Sequence, residues 1–309
     1  MTSSPPAPAS VNRAAVAAVS VWVGLLVLLS HWLGQQAYRW LPVQASSAAP
    51  LVDDLFSLET AIACFVFAGV VSVMAYVLLF NRAEKYDMDD AAPVEGNTVL
   101  EIIWTAIPLM LVMAIAWTTI GVNREIGAIG PMDHSHGDTA EAMAGAPTAE
   151  IQVIARQWSW EFRYPDAAAS STELHLPVGR RVSLQLESAD VIHGFYVPAF
   201  RLKQQVIPGR SIAFFITPTR EGRYRLRDSE YSGTWFAANQ VDVVVQSEEA
   251  YQDWLTRAAA QPLRPGISDA SREYAQQQSR LRASGYPTVP PAPPPMVNVP
   301  GSNTLPHAG

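Results

Sequence analysis

The chain has 309 residues, of which 49% are hydrophobic and only 16% charged, with a formal net charge of −7. So much apolar content with so little charge points to segments lying in lipid, and an acidic balance without a polybasic run argues against nucleic acid as a partner. One cysteine, Cys64, excludes an internal disulfide, a thiolate-bridged metal pair and covalently attached haem c within this chain; it sits in an apolar segment and reads as a small buried apolar residue.

Three apolar segments come first, at about 14–33, 58–80 and 99–121. Each is close to the roughly 20 residues that a helix needs to cross a hydrocarbon core, and none has the polar stripe of a soluble amphipathic helix. The first, preceded by Arg13, also has the outline of a secretory signal. The small residues Gln44 to Ala49 lie rather far beyond its apolar core for a cleavage site, which favours a retained first helix. Arg13 precedes the first helix, and Arg82 and Lys85 follow the second. Basic flanks stay on the cytoplasmic side, so the loop after the first helix and everything after the third lie outside.

Thr98 and Glu101 have the spacing of a capping box at the start of the third helix. A linker at 122–149 carries the segment Asp133-His134-Ser135-His136-Gly137-Asp138. With nothing to pre-orient its ligands, this reads as a solvated loop rather than a metal site. From 150 to 247 the pattern changes to short alternating runs, among them 151–155, 182–186, 211–216 and 241–243, with turns at Pro177-Val178-Gly179, Pro208-Gly209 and Glu221-Gly222. Such spacing predicts a β-sandwich or barrel. Ser247, followed by Glu248 and Glu249, predicts the cap of a short helix. The remainder of 248–309 is polar, then proline-rich, and reads as a disordered or polyproline-like tail. The expected organisation is a first membrane helix at 1–33, a two-helix membrane hairpin at 34–121, the linker, the β domain and this tail.

Several motifs agree in order with one family. Glu101-Ile102-Ile103-Trp104-Thr105-Ala106-Ile107-Pro108, Arg156-Gln157-Trp158-Ser159-Trp160-Glu161-Phe162, Asp190-Val191-Ile192-His193 and Asp228-Ser229-Glu230-Tyr231-Ser232-Gly233 occur in sequence. They resemble subunit II of the haem–copper respiratory oxidases, and the first loop, Leu41 to Asp53, resembles that of cyanobacterial-type members. The likeness spans roughly residues 20–250. It implies membrane helices followed by a cupredoxin-like Greek-key β-barrel whose outer end holds a dinuclear copper centre. Laid on the family's copper motif, His193 keeps its place. The two cysteine positions are held by Asp228 and Ser232, the second histidine position by Phe236 and the methionine position by Asn239. Glu230, a backbone-carbonyl ligand in the family, is retained. A mixed-valence copper pair needs soft bridging sulfur, so these are vestigial positions and the chain is expected to bind no cofactor. His193 then reads as a relic or a hydrogen-bonded core histidine.

The resemblance also makes Trp158 a former electron-entry aromatic, now a packing residue together with Trp160. It puts Asp190 near a donor-docking surface and Glu101 at the entry of a proton channel. Arg220, Arg223, Arg225 and Arg227 make one face basic, which argues against electrostatic docking of cytochrome c. Three readings stay open. The first is subunit II of a proton-pumping quinol oxidase, similar to the copper-free bo-type and cyanobacterial alternative oxidases. It is set in a plasma or thylakoid membrane beside subunit I and subunit III, with haem, catalytic copper and the quinol site in subunit I. The second is a cytochrome c oxidase subunit with a degenerate copper site. The third is a free-standing cupredoxin-like assembly protein.

Overall fold

The computed structural model describes residues 12–82, 96–126, 149–278 and 289–301. Lys85 and the Asp133–Asp138 segment lie outside the described residues. Two units are distinguished, one formed by 1–41 and 53–120 and the other by 42–52 and 121–309.

Three long helices come first: α1 runs Arg13–Ala37, α2 Ala48–Phe80 and α3 Thr98–Ile126. All three are long and apolar enough to cross a membrane. Asn12 caps α1, its side chain accepting from the amides of Ala14 and Ala15. The buried face of α1 is Leu26, Ser30, Gly34 and Ala37, a spacing that keeps four residues on one side of a helix. Gly34 is the point of closest approach. A Cβ there would lie 2.8 Å from the Ser57 carbonyl oxygen and 2.9 Å from the Ala61 Cβ, and Ser57 Oγ donates to the Gly34 carbonyl at 2.9 Å. Small residues that let backbones touch are how helices pair where lipid removes the hydrophobic drive. α2 begins ten residues earlier than the apolar run, because hydropathy marks the lipid-embedded part and not the whole helix. Pro50 sits in its first turn, where no amide donor is needed.

At α3 the expected capping box is corrected. Asn97, not Thr98, is the cap, with its Oδ1 accepting from the Leu100 amide at 3.1 Å. Glu101 lies one position past the reciprocal site, and its Oε1 lies 2.8 Å from where a Cβ on Gly96 would stand.

In the second unit the strands are β1 Ala149–Arg156, β2 Ser159–Tyr164, β3 Ala169–Ser171, β4 Leu174–Pro177, β5 Val182–Ser188, β6 His193–Val197, β7 Leu202–Val206, β8 Ile212–Ile216, β9 Gly222–Asp228 and β10 Gln240–Gln246. They form two five-stranded sheets, ordered β3-β2-β1-β5-β8 and β4-β10-β9-β6-β7, the cupredoxin-like barrel that was expected. Inward positions alternate as a half-buried strand requires. Ile151, Val153 and Ala155 of β1 meet Leu184 and Leu186 of β5, and Trp160, Phe162, Phe195 and Leu226 fill the centre. The segment before α2 is pinned to this barrel. The Ala45 amide donates to the Ala199 carbonyl at 3.0 Å and the Ser47 amide to Thr217 at 3.0 Å, while Ser46 Oγ donates to Phe200. Helix α4, Glu248–Ala259, begins at the expected cap, where Ser247 Oγ accepts from the Ala250 amide at 3.3 Å.

The tail departs from expectation. Residues 261–278 and 289–301 are folded onto the barrel, with β11 Arg264–Pro265, α5 Asp269–Gln278 and β12 Met296–Val297. β12 pairs with β11, and Val299 forms a parallel bridge to Ser171 of β3. Val297 is fully buried. Low hydrophobicity correctly signals a poor core, but β3 is the edge of its sheet and needs backbone partners rather than apolar side chains. The tail supplies them. The Thr172 amide donates to the Val299 carbonyl at 3.2 Å, and the Gly301 amide donates to Thr172 Oγ1 at 2.7 Å.

Candidate functional site

β6 and β9 are antiparallel neighbours, with Phe195 opposite Asp228. His193 opens β6 and Asp228 closes β9, so the pairing itself brings them together at one end of the barrel. Asp190 lies in the turn before β6. His193 is fully buried, and the side chains of Asp190 and Asp228 are 1% and 0% exposed. His193 Nδ1 lies 2.6 Å from Asp228 Oδ2, and Nε2 lies 2.9 Å from Asp190 Oδ1.

Each carboxylate is otherwise saturated. Asp228 Oδ2 also accepts from Ser232 Oγ at 2.7 Å and Asn239 Nδ2 at 3.1 Å. Its Oδ1 accepts from the amides of Gly194 at 2.8 Å and Glu230 at 3.2 Å. Asp190 Oδ1 accepts from the Val191 amide at 2.8 Å, and Oδ2 from the amides of Gln157 at 2.7 Å and Ala292 at 3.1 Å. Carboxylates only accept, and an imidazole that meets a carboxylate through both nitrogens donates twice, as imidazolium. The electrostatics agree. Burial pulls the His193 pKa down, but the hydrogen bonds to Asp190 and Asp228 and their charges outweigh it and hold it above the ordinary histidine value. Burial pushes Asp228 up, and the His193 hydrogen bond and charge, with the Gly194 amide and Ser232 hydroxyl, leave it below the ordinary carboxylate value. Asp190 is lowered in the same way, by His193 and its three backbone donors against burial.

The structure thus gathers four of the six vestigial positions, His193, Asp228, Ser232 and Asn239, together with the Glu230 amide. The Glu230 carboxylate points elsewhere, 3.3 Å from Lys203 Nζ. Phe236 leaves the group and packs edge-on against Tyr231 at 5.3 Å. Trp158 is 2% exposed and donates through Nε1 to the Ser232 carbonyl at 3.1 Å. Gly233 makes room for it. Its φ is +105°, and a Cβ would stand 3.1 Å from Trp158 Cζ2 and 2.7 Å from Gln157 Nε2. The Asp190 carboxylate is buried as the second partner of His193. On the basic face, Arg223 and Arg225 share one carboxylate, that of Asp242, at 2.9 and 3.1 Å. Reading positions one at a time missed the network as a unit. Its signal was present in two facts, an aspartate, Asp228, where the resembled copper motif has a cysteine, and a second aspartate three residues before the histidine.

A dinuclear copper centre does not fit these residues. It needs bridging thiolates, and Cys64, the one cysteine, lies in α2. Both nitrogens of His193 and all four carboxylate oxygens are already bonded. Among the described residues, no group of three or more His, Cys, Asp and Glu is arranged to hold a metal ion.

Two family models match the chain: cytochrome c oxidase subunit II, transmembrane domain, over residues 31–122, and cytochrome c oxidase subunit II, periplasmic domain, over residues 168–248. A cytochrome c oxidase subunit 2 of Synechocystis sp. is 32% identical over 79% of this chain and 83% of its own length. A quinol oxidase subunit 2 of Bacillus cereus is 26% identical over 65% of this chain and 66% of its own length. The crystal structure of the periplasmic domain of subunit II of cytochrome oxidase (CoxB) of Bradyrhizobium japonicum is 26% identical, covering 38% of this chain and 96% of that domain, with a TM-score of 0.36. The chain belongs to the cytochrome c oxidase subunit II family: it is a membrane-anchored subunit of a haem–copper terminal oxidase, with its cupredoxin-like domain on the periplasmic side.

Proposed function

We propose that this subunit serves a quinol oxidase, and that it binds no copper. One observation carries the reading: a saturated Asp190–His193–Asp228 network stands where the family's copper ligands would be. An electron relay there would need a metal that this donor set does not suit. A lipid-soluble donor delivers electrons from the membrane and makes such a relay dispensable. In this reading the chain performs no chemistry of its own. It scaffolds subunit I, which holds haem, catalytic copper and the quinol site, and subunit III joins the same complex. Glu101, in the first turn of α3, serves as the entry of a proton path into subunit I.

The similarity to subunits named for cytochrome c oxidases favours a second reading, in which cytochrome c is the donor and electrons bypass the network. Oxygen uptake by the purified complex, with reduced quinol and separately with reduced cytochrome c, decides between them. Uptake with quinol alone is expected. Uptake with cytochrome c alone overturns the proposal and returns Trp158 and His193 to the electron route.

A further inference from the structure

The periplasmic-domain family model ends at residue 248, and the chain beyond α4 makes a set of contacts that converge on one place. The Trp158 main chain is held on both sides by this segment. Ser268 Oγ donates to its carbonyl and Ser271 Oγ accepts from its amide at 3.5 Å. The Tyr274 ring stands edge-on to the Trp158 indole, with centroids 5.0 Å apart and planes at 64°. Further along, the Ala292 amide donates to Asp190 Oδ2 at 3.1 Å, so the tail contributes directly to the buried ion network. The segment is anchored independently of these contacts. Asn298 exchanges hydrogen bonds with Ser170, its Oδ1 accepting from the Ser170 amide at 2.9 Å and its own amide donating to Ser170 Oγ at 3.1 Å. Its Nδ2 also donates to the Gln261 carbonyl at 2.7 Å, and the Gly266 amide donates to the Pro295 carbonyl at 2.7 Å.

We infer that residues 261–278 and 289–301 form an intramolecular strap that closes the outer domain over Trp158 and completes the shell of Asp190. Trp158 is covered from two directions. Gly233 and the Ser232 carbonyl meet one part of the indole, and Tyr274 another. The strap occupies in cis the surface a soluble redox protein would need in order to approach this indole. Paired backbone, an aromatic edge contact and a charge-assisted amide bond are each modest. Distributed along one segment and anchored at Ser170, they hold it as a fixed part of the domain. The inference extends the quinol reading by giving the former entry face an occupant, but its geometry does not depend on which donor is used.

Hydroxyl-radical footprinting of the purified oxidase complex, read residue by residue by mass spectrometry, tests the strap. Three forms are compared: the unaltered chain, the chain truncated after Ala260, and the full-length triple variant S268A/S271A/Y274A. Oxidation of Trp158 is expected to be slow in the unaltered complex and several-fold faster in both altered forms. Equal oxidation in the unaltered and triple-variant complexes overturns the strap, and that comparison decides the matter if the truncated chain fails to assemble. The readout is independent of turnover. A complex driven only by cytochrome c, with Trp158 still protected by the tail, would sink the quinol reading and leave the strap standing.

Discussion

At the scale of single residues, one buried carboxylate holds the loops at this end of the barrel together. Asp228 ties β6, β9 and the loop between β9 and β10 through five contacts. A buried charge of this kind is costly to orphan. Asp228→Asn leaves the His193 imidazolium with one anionic partner in place of two, and removing one partner of a buried pair typically costs about 3–5 kcal/mol. A lower melting temperature of the outer domain, followed by tryptophan fluorescence of the purified complex, is the expected result; an unchanged melt would mean that the network is incidental.

The pH dependence follows from the signs of the shifts. His193 is raised, so its contribution is complete below its unfolded value of about 6.5 and is lost as pH rises through the folded value. Asp190 and Asp228 are lowered, so theirs is complete above about 3.9 and is lost as pH falls through their folded values. The network therefore stabilises most in mildly acidic solution, and the outer-domain melting temperature should fall toward alkaline pH. In the Asp228→Asn variant that slope should flatten. A second residue test concerns Glu101, which is exposed in the described structure and is not the reciprocal member of a capping box. Glu101→Ala should slow oxygen uptake while leaving assembled yield nearly intact; a loss of assembly at unchanged turnover per complex would reduce it to a helix-start residue.

At the scale of elements, the parts with a strong period were legible in the sequence and the parts held by backbone were not. The alternation of Ile151, Val153 and Ala155 and the run 182–186 mark real strands because one face of each is buried. The first ten residues of α2 were missed because polar residues such as Asp53 and Asp54 carry no lipid signal. The strap was missed because proline-rich, polar sequence is ordinarily too poor in apolar area to fold alone. It is ordered here by an existing sheet edge at β3. The α1–α2 contact rests on Gly34 rather than on any apolar stripe. Gly34→Leu would drive a side chain into the Ser57 carbonyl and Ala61, and should reduce disulfide cross-linking between cysteines placed in α1 and α2 while the barrel remains folded; retained cross-linking would show that the helices pair without this contact. The copper loop offers the opposite experiment, a gain. The variant D228C/S232C/F236H/N239M restores the family's ligand types on a loop that still carries Gly233 and Glu230. It is expected to bind copper with visible thiolate-to-copper absorption, and a folded but colourless product would mean that the loop path has changed along with its ligands.

For the whole molecule, the decisive matter is the route of the electrons, because it determines whether the outer domain conducts or only covers. Trp158 separates the two. It sits between the network loop and the strap, it is almost wholly buried, and its one polar atom bonds to the Ser232 carbonyl. If electrons come from quinol in the membrane, the indole is a packing piece, and Trp158→Phe removes one hydrogen bond worth about 1 kcal/mol and some buried area. The expected outcome is an outer domain that melts several degrees lower in a complex whose quinol-driven oxygen uptake is unchanged. If electrons enter from a soluble protein, the same substitution should cut turnover far more than it lowers melting, because phenylalanine keeps most of the packing but is a poorer redox relay than indole. Measuring both quantities on one preparation keeps stability and conduction apart, which neither does alone, and places the outer domain either on the electron path or beside it.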